Sequence, residues 1–403
     1  MKVALVMPWW SHPIPSVLGG AVEGLMTMLI NENEKCGKAP TIYCFQKDIK
    51  KEQKDNLEAD KYKHTKLIFV KHNNFINKLQ RAFCKLLSIL HIKKDLPYHF
   101  PLNYQKKVFK QVKKVSPDVI IFENYIDSNI KQYIKHFGKE KLYYHVHTQD
   151  KPKYNIEKYF AGIIGVSNFI KTDYENFVGE NSDLNNYVLP NCVNEKYFSK
   201  KMPSEQKQCL KENFGFSNED FIVLYCGRIM ESKGVDKLLE SIIQTPQNIK
   251  LLIVGSVNFK TNETSPFLAK IEKIVKNNPS KIKMTGYIDQ DDLYQYYKMA
   301  DLQVVPTIIE EAAGLVVIEG QMCGLPQIVT RSGGMIEYTT KDTIVLERNE
   351  QLIDNLSREI IRLSKDKNSL KKMSQSSLDH SKIYNSQNYY KNFIAIIENM
   401  LNK

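Results

Sequence analysis

The chain has 403 residues, 42% of them apolar, with only 18 glycines and 15 prolines, which excludes a disordered or fibrous protein and points to two domains of about 200 residues each. Lys and Arg outnumber Asp and Glu by 57 to 45, and the excess is uneven: +9 over residues 1–195 against +3 over residues 196–403. The first half therefore meets something anionic or is heavily solvated, but no RRM, KH or zinc-finger signature supports nucleic acid.

Apolar strand-like runs alternate with helical patterns from end to end. The opening MKVALVMPWW reads as a buried first strand over Val3–Met7. Its apolar run is too short for a signal peptide and lacks a small-residue cleavage site. Further runs follow at Thr41–Phe45, Leu67–Val70, Val119–Phe122, Leu142–Val146 and Ile163–Val166. A second series comprises Phe221–Cys226, Ile249–Val254, Ile282–Met284, Leu302–Val305, Gln327–Val329 and Thr343–Leu346. Short strands separated by amphipathic stretches of ~15–25 residues make βαβ units, and two six-stranded parallel sheets are more ordinary than one of twelve. The break is expected at Leu189–Asn194, giving domains 1–195 and 196–383. A closing helix over about 384–403, with Phe393, Ile394, Ile397 and Leu401 at helical spacing, either completes the second domain or crosses back to the first. The seven cysteines are dispersed with no CxxC pair, so free thiols are expected rather than a disulfide or zinc framework. No stretch approaches the ~18–20 apolar residues of a bilayer span; a cytoplasmic protein, soluble or peripheral on the inner face of a membrane, is expected.

The strongest chemical signal is Glu310-Glu311-Ala312-Ala313-Gly314-Leu315-Val316-Val317-Ile318-Glu319 after the strand Leu302–Val305 and the turn Pro306-Thr307. A loop ending in Gly before a helix leaves backbone N–H groups unpaired, and those donors with the helix dipole form an anion site. Glu311 lies in the loop and Glu319 one turn into the helix. A carboxylate beside a phosphate would be repelled, so both are expected to accept hydrogen bonds from sugar hydroxyls. In the first half, Gly19-Gly20 with Glu23 precedes a helix and can admit a phosphate close to backbone; it is not the Gly-x-Gly-x-x-Gly fingerprint of dinucleotide binding. His145 and His147 share one face at the end of Leu142–Val146, where ligands bind in such sheets. His147, nearer the edge, is the preferred ligand contact.

Glu-x7-Glu in this setting resembles the signature of glycosyltransferase family 4, and the resemblance extends further. Gly227-Arg228…Lys233-Gly234 is similar to the family's Gly-Arg…Lys-Gly segment, and Gly286-Tyr287-Ile288 through Ala300-Asp301 and Pro306-Thr307 matches the run up to the glutamate loop. The resemblance implies a GT-B fold, two Rossmann-like domains facing each other across a cleft, and transfer of a sugar from a nucleotide donor with retention of configuration. It implies that Arg228 and Lys233 clamp the diphosphate, Ile288 meets the base, Glu311 the transferred sugar and Glu319 the ribose. Gly20, Ala313, Gly314, Leu315 and Val316 approach sugar and diphosphate, and His147 bonds the sugar. Ser167 and Asn191 match acceptor-side positions, with Glu23 beside them. The catalytic set is thus Glu311, His147, Arg228 and Lys233. The sequence departs from the family at Cys192 and Asn194, which put the linker's turn in question, and at Ala312, Ala313 and Gly320, where smaller side chains would enlarge the donor pocket.

Asp289-Gln290-Asp291-Asp292 contains an Asp-x-Asp string, but directly before a helical pattern it reads as a helix cap. With Arg228, Lys233 and a helix end available for the diphosphate, no metal and no other cofactor are expected. Phe75–Lys94 reads as an amphipathic helix carrying Lys78, Arg81, Lys85, Lys93 and Lys94; it either covers the first sheet or lies on anionic lipid. The expected protein is a retaining, metal-independent glycosyltransferase using a nucleotide-sugar, UDP foremost. Its expected acceptor is a glycan, polyprenyl-diphosphate-linked as the leading case, in bacterial cell-surface polysaccharide assembly. A GT-B-like nucleotide-sugar epimerase and a non-catalytic partner subunit are the alternatives; nucleic acid is not expected as a partner.

Overall fold

The computed structural model describes residues 1–15, 20–49, 61–71, 75, 79, 102–126, 129–151, 156–179, 183–257 and 265–402. They divide into two units, Met1–Pro190 with Gln387–Lys403, and Asn191–Ser386. The division falls after Pro190 rather than after Glu195, so Asn191, Cys192 and Asn194 lie in the second unit.

The described residues of the first unit build a parallel sheet from β1 (Lys2–Val6), β2 (Thr41–Lys47), β3 (Thr65–Val70), β4 (Val119–Glu123), β5 (Leu142–Val146), β6 (Gly162–Gly165) and β7 (Tyr187–Val188), in the order β3-β2-β1-β4-β5-β6-β7. β7 has only two residues, both half-buried, too short to leave a hydrophobic period in the sequence. Every residue of β4 and β5 is buried, as expected of parallel strands covered on both faces. The covering helices include α1 (Ala21–Lys35), α2 (Leu102–Val115), α3 (Ile130–Phe137) and α4 (Asn168–Val178). On α2, Val108, Phe109 and Val112 are buried while Lys106, Lys107, Lys110, Lys113 and Lys114 are exposed, so its lysines are the solvated side of a core helix.

The second unit repeats the plan with β8 (Phe221–Cys226), β9 (Ile249–Val254), β10 (Ile282–Met284), β11 (Leu302–Val305), β12 (Gln327–Thr330) and β13 (Ile344–Leu346), ordered β10-β9-β8-β11-β12-β13. Its helices are α5 (Ser204–Asn213), α6 (Val235–Ile243), α7 (Pro266–Asn277), α8 (Gln290–Met299), α9 (Leu315–Met322), α10 (Leu352–Lys365) and α11 (Lys367–Ser381). Two hydrophobic layers sandwich the sheet. One includes Tyr297, Val317 and Ile318 from α8 and α9, the other Leu238, Leu239, Leu356 and Ile360 from α6 and α10. In both sheets the chain starts in the middle, fills one edge and crosses back to fill the other. The resulting switch points, β1/β4 and β8/β11, are where open α/β sheets bind ligands.

The closing helix α12 (Ser386–Leu401) belongs, from Gln387 on, to the first unit, and its Tyr390 hydroxyl donates to Asn33 Oδ1 of α1 at 3.0 Å. Its buried stripe is Tyr389, Tyr390, Phe393, Ile396, Ile397 and Met400, whereas Leu401 is exposed. The stripe therefore lies one residue round from the Phe393, Ile394, Ile397, Leu401 face read from spacing, because the two tyrosines bury their rings. No disulfide joins the six cysteines among the described residues. No described helix is long and apolar enough to cross a membrane.

Candidate functional site

In the second unit the site grows from the adjacent ends of β8 and β11. After β8 the chain turns at Gly227, leaves Arg228 exposed, and takes its carbonyl as acceptor for the Tyr225 hydroxyl at 2.6 Å. A single 3-10 turn, Glu231–Lys233, ends at Gly234, whose φ of 66° caps α6. A Cβ there would stand 2.0 Å from the Pro306 carbonyl oxygen. Only glycine permits this approach, which continues as a 3.0 Å bond from Ile308 N to Ser232 O. The loops after β8 and β11 are thereby fastened together, and Lys233 Nζ bonds Glu311 Oε1.

Glu311 is held from all sides. Thr307 Oγ1 donates to its Oε1 at 2.9 Å, and its N–H donates to Ser332 Oγ at 3.0 Å. Its carbonyl accepts Gly334 N–H at 2.7 Å. Next to it Glu310 pairs with Arg348, which also donates to Ile308 O at 3.2 Å. The loop so braced delivers Gly314 as N-cap of α9, with no side-chain cap. The first-turn amides, including those of Leu315 and Val316, thus have no intrahelical acceptor by helix geometry and form an anion site. Ala313 and Ile288 are half-buried against the core layer beneath.

Glu319 points back from one turn into α9 and accepts the Tyr297 hydroxyl at 2.8 Å. Part of the residue reaches solvent, yet its carboxyl end lies against buried Tyr297 and Cys226. Burial pushes that carboxyl up to about 7, partly offset by the Tyr297 bond. Gly320 corrects an expectation. It is buried, and a Cβ there would stand 1.9 Å from Gln303 Oε1 and 2.8 Å from Gln327 Nε2. The missing methyl makes room for a buried amide chain, not for a donor sugar. In that chain Gln303 Nε2 donates to Val316 O at 2.9 Å, Gln327 Nε2 to Gln303 Oε1 at 2.6 Å, and Gln321 Nε2 to Gln327 Oε1 at 3.2 Å. Asp289 is the N-cap of α8 without a side-chain cap bond, and Asp291 and Asp292 occupy the first turn. The acidic string thus complements the helix dipole rather than closing a cap through Asp289.

In the first unit Gly20 is the N-cap of α1 at φ 128°, where a Cβ would meet Glu23 Oε2 at 2.3 Å; Gly19 lies outside the described residues. Glu23 is buried and its Oε1 accepts His12 N–H at 2.9 Å, which ties it to the loop after β1. Ser167 caps α4 by accepting Ile170 N–H at 3.2 Å. Asn191 donates its backbone N–H to the Tyr338 hydroxyl at 2.9 Å, and Asn194 caps the short helix Glu195–Phe198 by accepting Lys196 N–H at 3.1 Å. The linker turn is therefore well formed despite Cys192 and Asn194. His145 is buried and His147 half-buried, their side chains 1% and 6% exposed, and both bond a carboxylate that sequence reading missed, Glu123. Its one signal was a lone acidic residue closing the apolar run Val119–Phe122. Apart from Phe75 and Leu79, both exposed, the segment Phe75–Lys94 lies outside the described residues, including Lys78, Arg81, Lys85, Lys93 and Lys94.

Two Rossmann-like units, one carrying a cationic loop, a glutamate loop and an open helix end at its switch point, are the arrangement expected of the GT-B fold. The model of the family "Glycosyl transferases group 1" matches residues 206–379. The lipopolysaccharide 1,2-N-acetylglucosaminetransferase of Salmonella typhimurium is 26% identical over 287 residues, 66% of this chain and 72% of that protein. A GDP-mannose-dependent phosphatidylinositol monomannoside mannosyltransferase of Corynebacterium glutamicum is 27% identical over 188 residues, 44% of this chain and only 46% of that protein. The fold is that of Anabaena HepE, solved in complex with UDP, at a TM-score of 0.70 and 15% identity over 99% of this chain and 100% of that one. Residues 206–379 thus match the group 1 glycosyltransferases, and the relatives and the fold support a glycosyltransferase of the family 4, GT-B type.

Proposed function

We propose that this protein transfers a sugar, with retention of configuration and without a metal, from a nucleotide diphosphate sugar to a glycan acceptor in cell-surface glycan assembly. The observation that carries the reading is the bonding of Lys233 to Glu311 beside the open N-terminus of α9. A cation for phosphate and an anion for sugar hydroxyls stand together where a sugar–phosphate bond would lie. Arg228, Lys233 and the α9 amides supply the positive field for the diphosphate, so the residues present need no divalent ion there. Lys233 swings from Glu311 to phosphate as the donor enters, and Glu311 is released to accept from the sugar. Ile288 lies by the base and Glu319 accepts from the ribose.

Retention follows a front-face displacement. The bond from the anomeric carbon to the phosphate oxygen breaks and its electron pair leaves with the diphosphate. The acceptor oxygen bonds the same face, and its proton passes to the departing phosphate oxygen. Arg228 and Lys233 stabilise the charge that grows there. UDP is the favoured nucleotide, in line with the UDP complex of the Anabaena neighbour. A lipid-linked glycan is the favoured acceptor, in line with the lipopolysaccharide and phosphatidylinositol mannoside named for the two relatives and with the basic first half. Contact with anionic lipid is assigned to Phe75–Lys94 and a cytoplasmic, membrane-peripheral place to the protein. Unchanged liposome binding after Lys78, Arg81 and Lys85 are each changed to Glu would remove that contact from the proposal.

A thermal-shift screen against UDP-, GDP- and ADP-sugars tests the donor site, because a ligand bound only by the folded state raises stability by mass action. A shift with one class, followed by transfer to a glycan with the donor's anomeric configuration, is the expected result. No shift with any class, or epimer formation without an acceptor, would overturn the reading.

A further inference from the structure

At the C-terminal rim of the first sheet, β4 and β5 run side by side with Glu123 opposite His145. The Glu123 carboxylate is fully enclosed, and one oxygen, Oε2, meets both His145 Nδ1 at 2.9 Å and His147 Nε2 at 3.0 Å. The two rings lie 4.0 Å apart between centroids. Asn124, at φ 53°, accepts the His147 N–H on its Oδ1 at 3.1 Å and fixes the backbone there. An ionised carboxylate only accepts. Burial acts to raise the Glu123 carboxyl, but His145 and His147 outweigh it and hold it at about 2. Each ring must therefore donate: His145 through Nδ1–H and His147 through Nε2–H. Burial and then the neighbouring His145 pull His147 down to about 4. A neutral imidazole has a single N–H, so its other nitrogen is a lone-pair acceptor.

We infer that Glu123 is a positioning residue that locks His147 in the Nε2-protonated tautomer, so that His147 Nδ1 stands as an acceptor for a hydroxyl of the sugar substrate. The hydroxyl partner rests on the transferase reading above; the lock does not. A divalent cation is the rival occupant, since the three side chains offer ligand atoms within 4.8 Å of one another. Contacts of 2.9 and 3.0 Å are hydrogen-bond lengths, shorter than the roughly 3.3 Å edge of a tetrahedral zinc site with bonds of about 2.0–2.1 Å. Nε2 of His145 is buried with no partner among the described residues, whereas a metal-bound imidazole ordinarily donates its outer N–H to an acceptor. Shared hydrogen bonding suits these atoms better than coordination.

Long-range proton–nitrogen NMR on the full chain with labelled histidine, assigned through His147→Gln, reads the lock without any substrate. The expected result at pH 7 is His147 protonated at Nε2 alone, with both tautomers present in Glu123→Gln. An Nδ1-protonated or imidazolium His147 in the wild type, or one equivalent of bound metal by mass spectrometry, would overturn it. In transfer assays Glu123→Gln should lower kcat by at least about tenfold with nucleotide affinity unchanged, and by no more than about twofold in a His147→Ala background. Equal losses in both backgrounds would show that Glu123 does not act through His147. The NMR result stands whether or not transfer is observed, so failure of the lock and failure of the transferase reading are separate outcomes.

Discussion

Lys233 Nζ is bonded to Glu311 Oε1, joining the loop after β8 to the loop after β11. In the proposed function each partner bears a charge the donor would use, and the pair holds the two side by side. The side chains remain 21% and 19% exposed, so their coupling should contribute no more than about 1 kcal/mol to stability. Lys233→Ala and Glu311→Ala are therefore expected to keep the fold and melt within a few degrees of the wild type, while transfer falls by at least about 100- to 1,000-fold. Steady-state rates beside melting curves check this; substantial residual transfer in either variant would remove it from the donor site.

Gly234 makes that pairing possible. Its left-handed backbone and the 2.0 Å approach of any Cβ to the Pro306 carbonyl combine a conformational cost of about 1–2 kcal/mol with a backbone clash. Gly234→Ala should lose more than about 2 kcal/mol in urea titration and lose donor binding with it, because the two loops must part.

Gly320 should behave differently. Gly320→Ala overpacks against Gln303, whose Oε1 would lie 1.9 Å away, and should cost about 1–3 kcal/mol. Adding Gln303→Ala removes the obstructing oxygen, so the double variant should be more stable than the sum of the single losses. Strict additivity in denaturant midpoints would count against the amide chain as the reason for glycine here.

Glu319 gives a pH signature. Its folded carboxyl is raised to about 7 from 4.5, so the folded state holds a proton that the unfolded state has released. Its contribution to stability is present below pH ~4.5 and is lost as pH rises through ~7. If Glu319 meets the ribose as proposed, nucleotide binding should show the opposite slope, because only the ionised carboxylate can accept from both ribose hydroxyls. UDP affinity should rise between pH 6 and 8 in wild type and flatten in Glu319→Gln; titration calorimetry at several pH values distinguishes these.

Most of the sheet plan was legible because parallel strands buried on both faces need uninterrupted apolar runs, which stand out between amphipathic helices. Phe221–Cys226 and Leu142–Val146 were read with the bounds the structure gives. Tyr187–Val188 was not, because two half-buried residues carry no period. The loops that hold Lys233, Gly234, Glu311 and Gly314 were equally legible, since each follows an apolar run that marks a strand end. What only tertiary structure decided is which side chains meet across strands. Glu123 and His147 are 24 positions apart, joined by the register of β4 on β5, and Gly320 faces Gln303 rather than a ligand. The same holds for Lys233 and Glu311, 78 positions apart. Sequence singled out each by its own loop; the pairing arises because β8 and β11 lie side by side at the switch point, and that adjacency is set by the packing of the whole sheet.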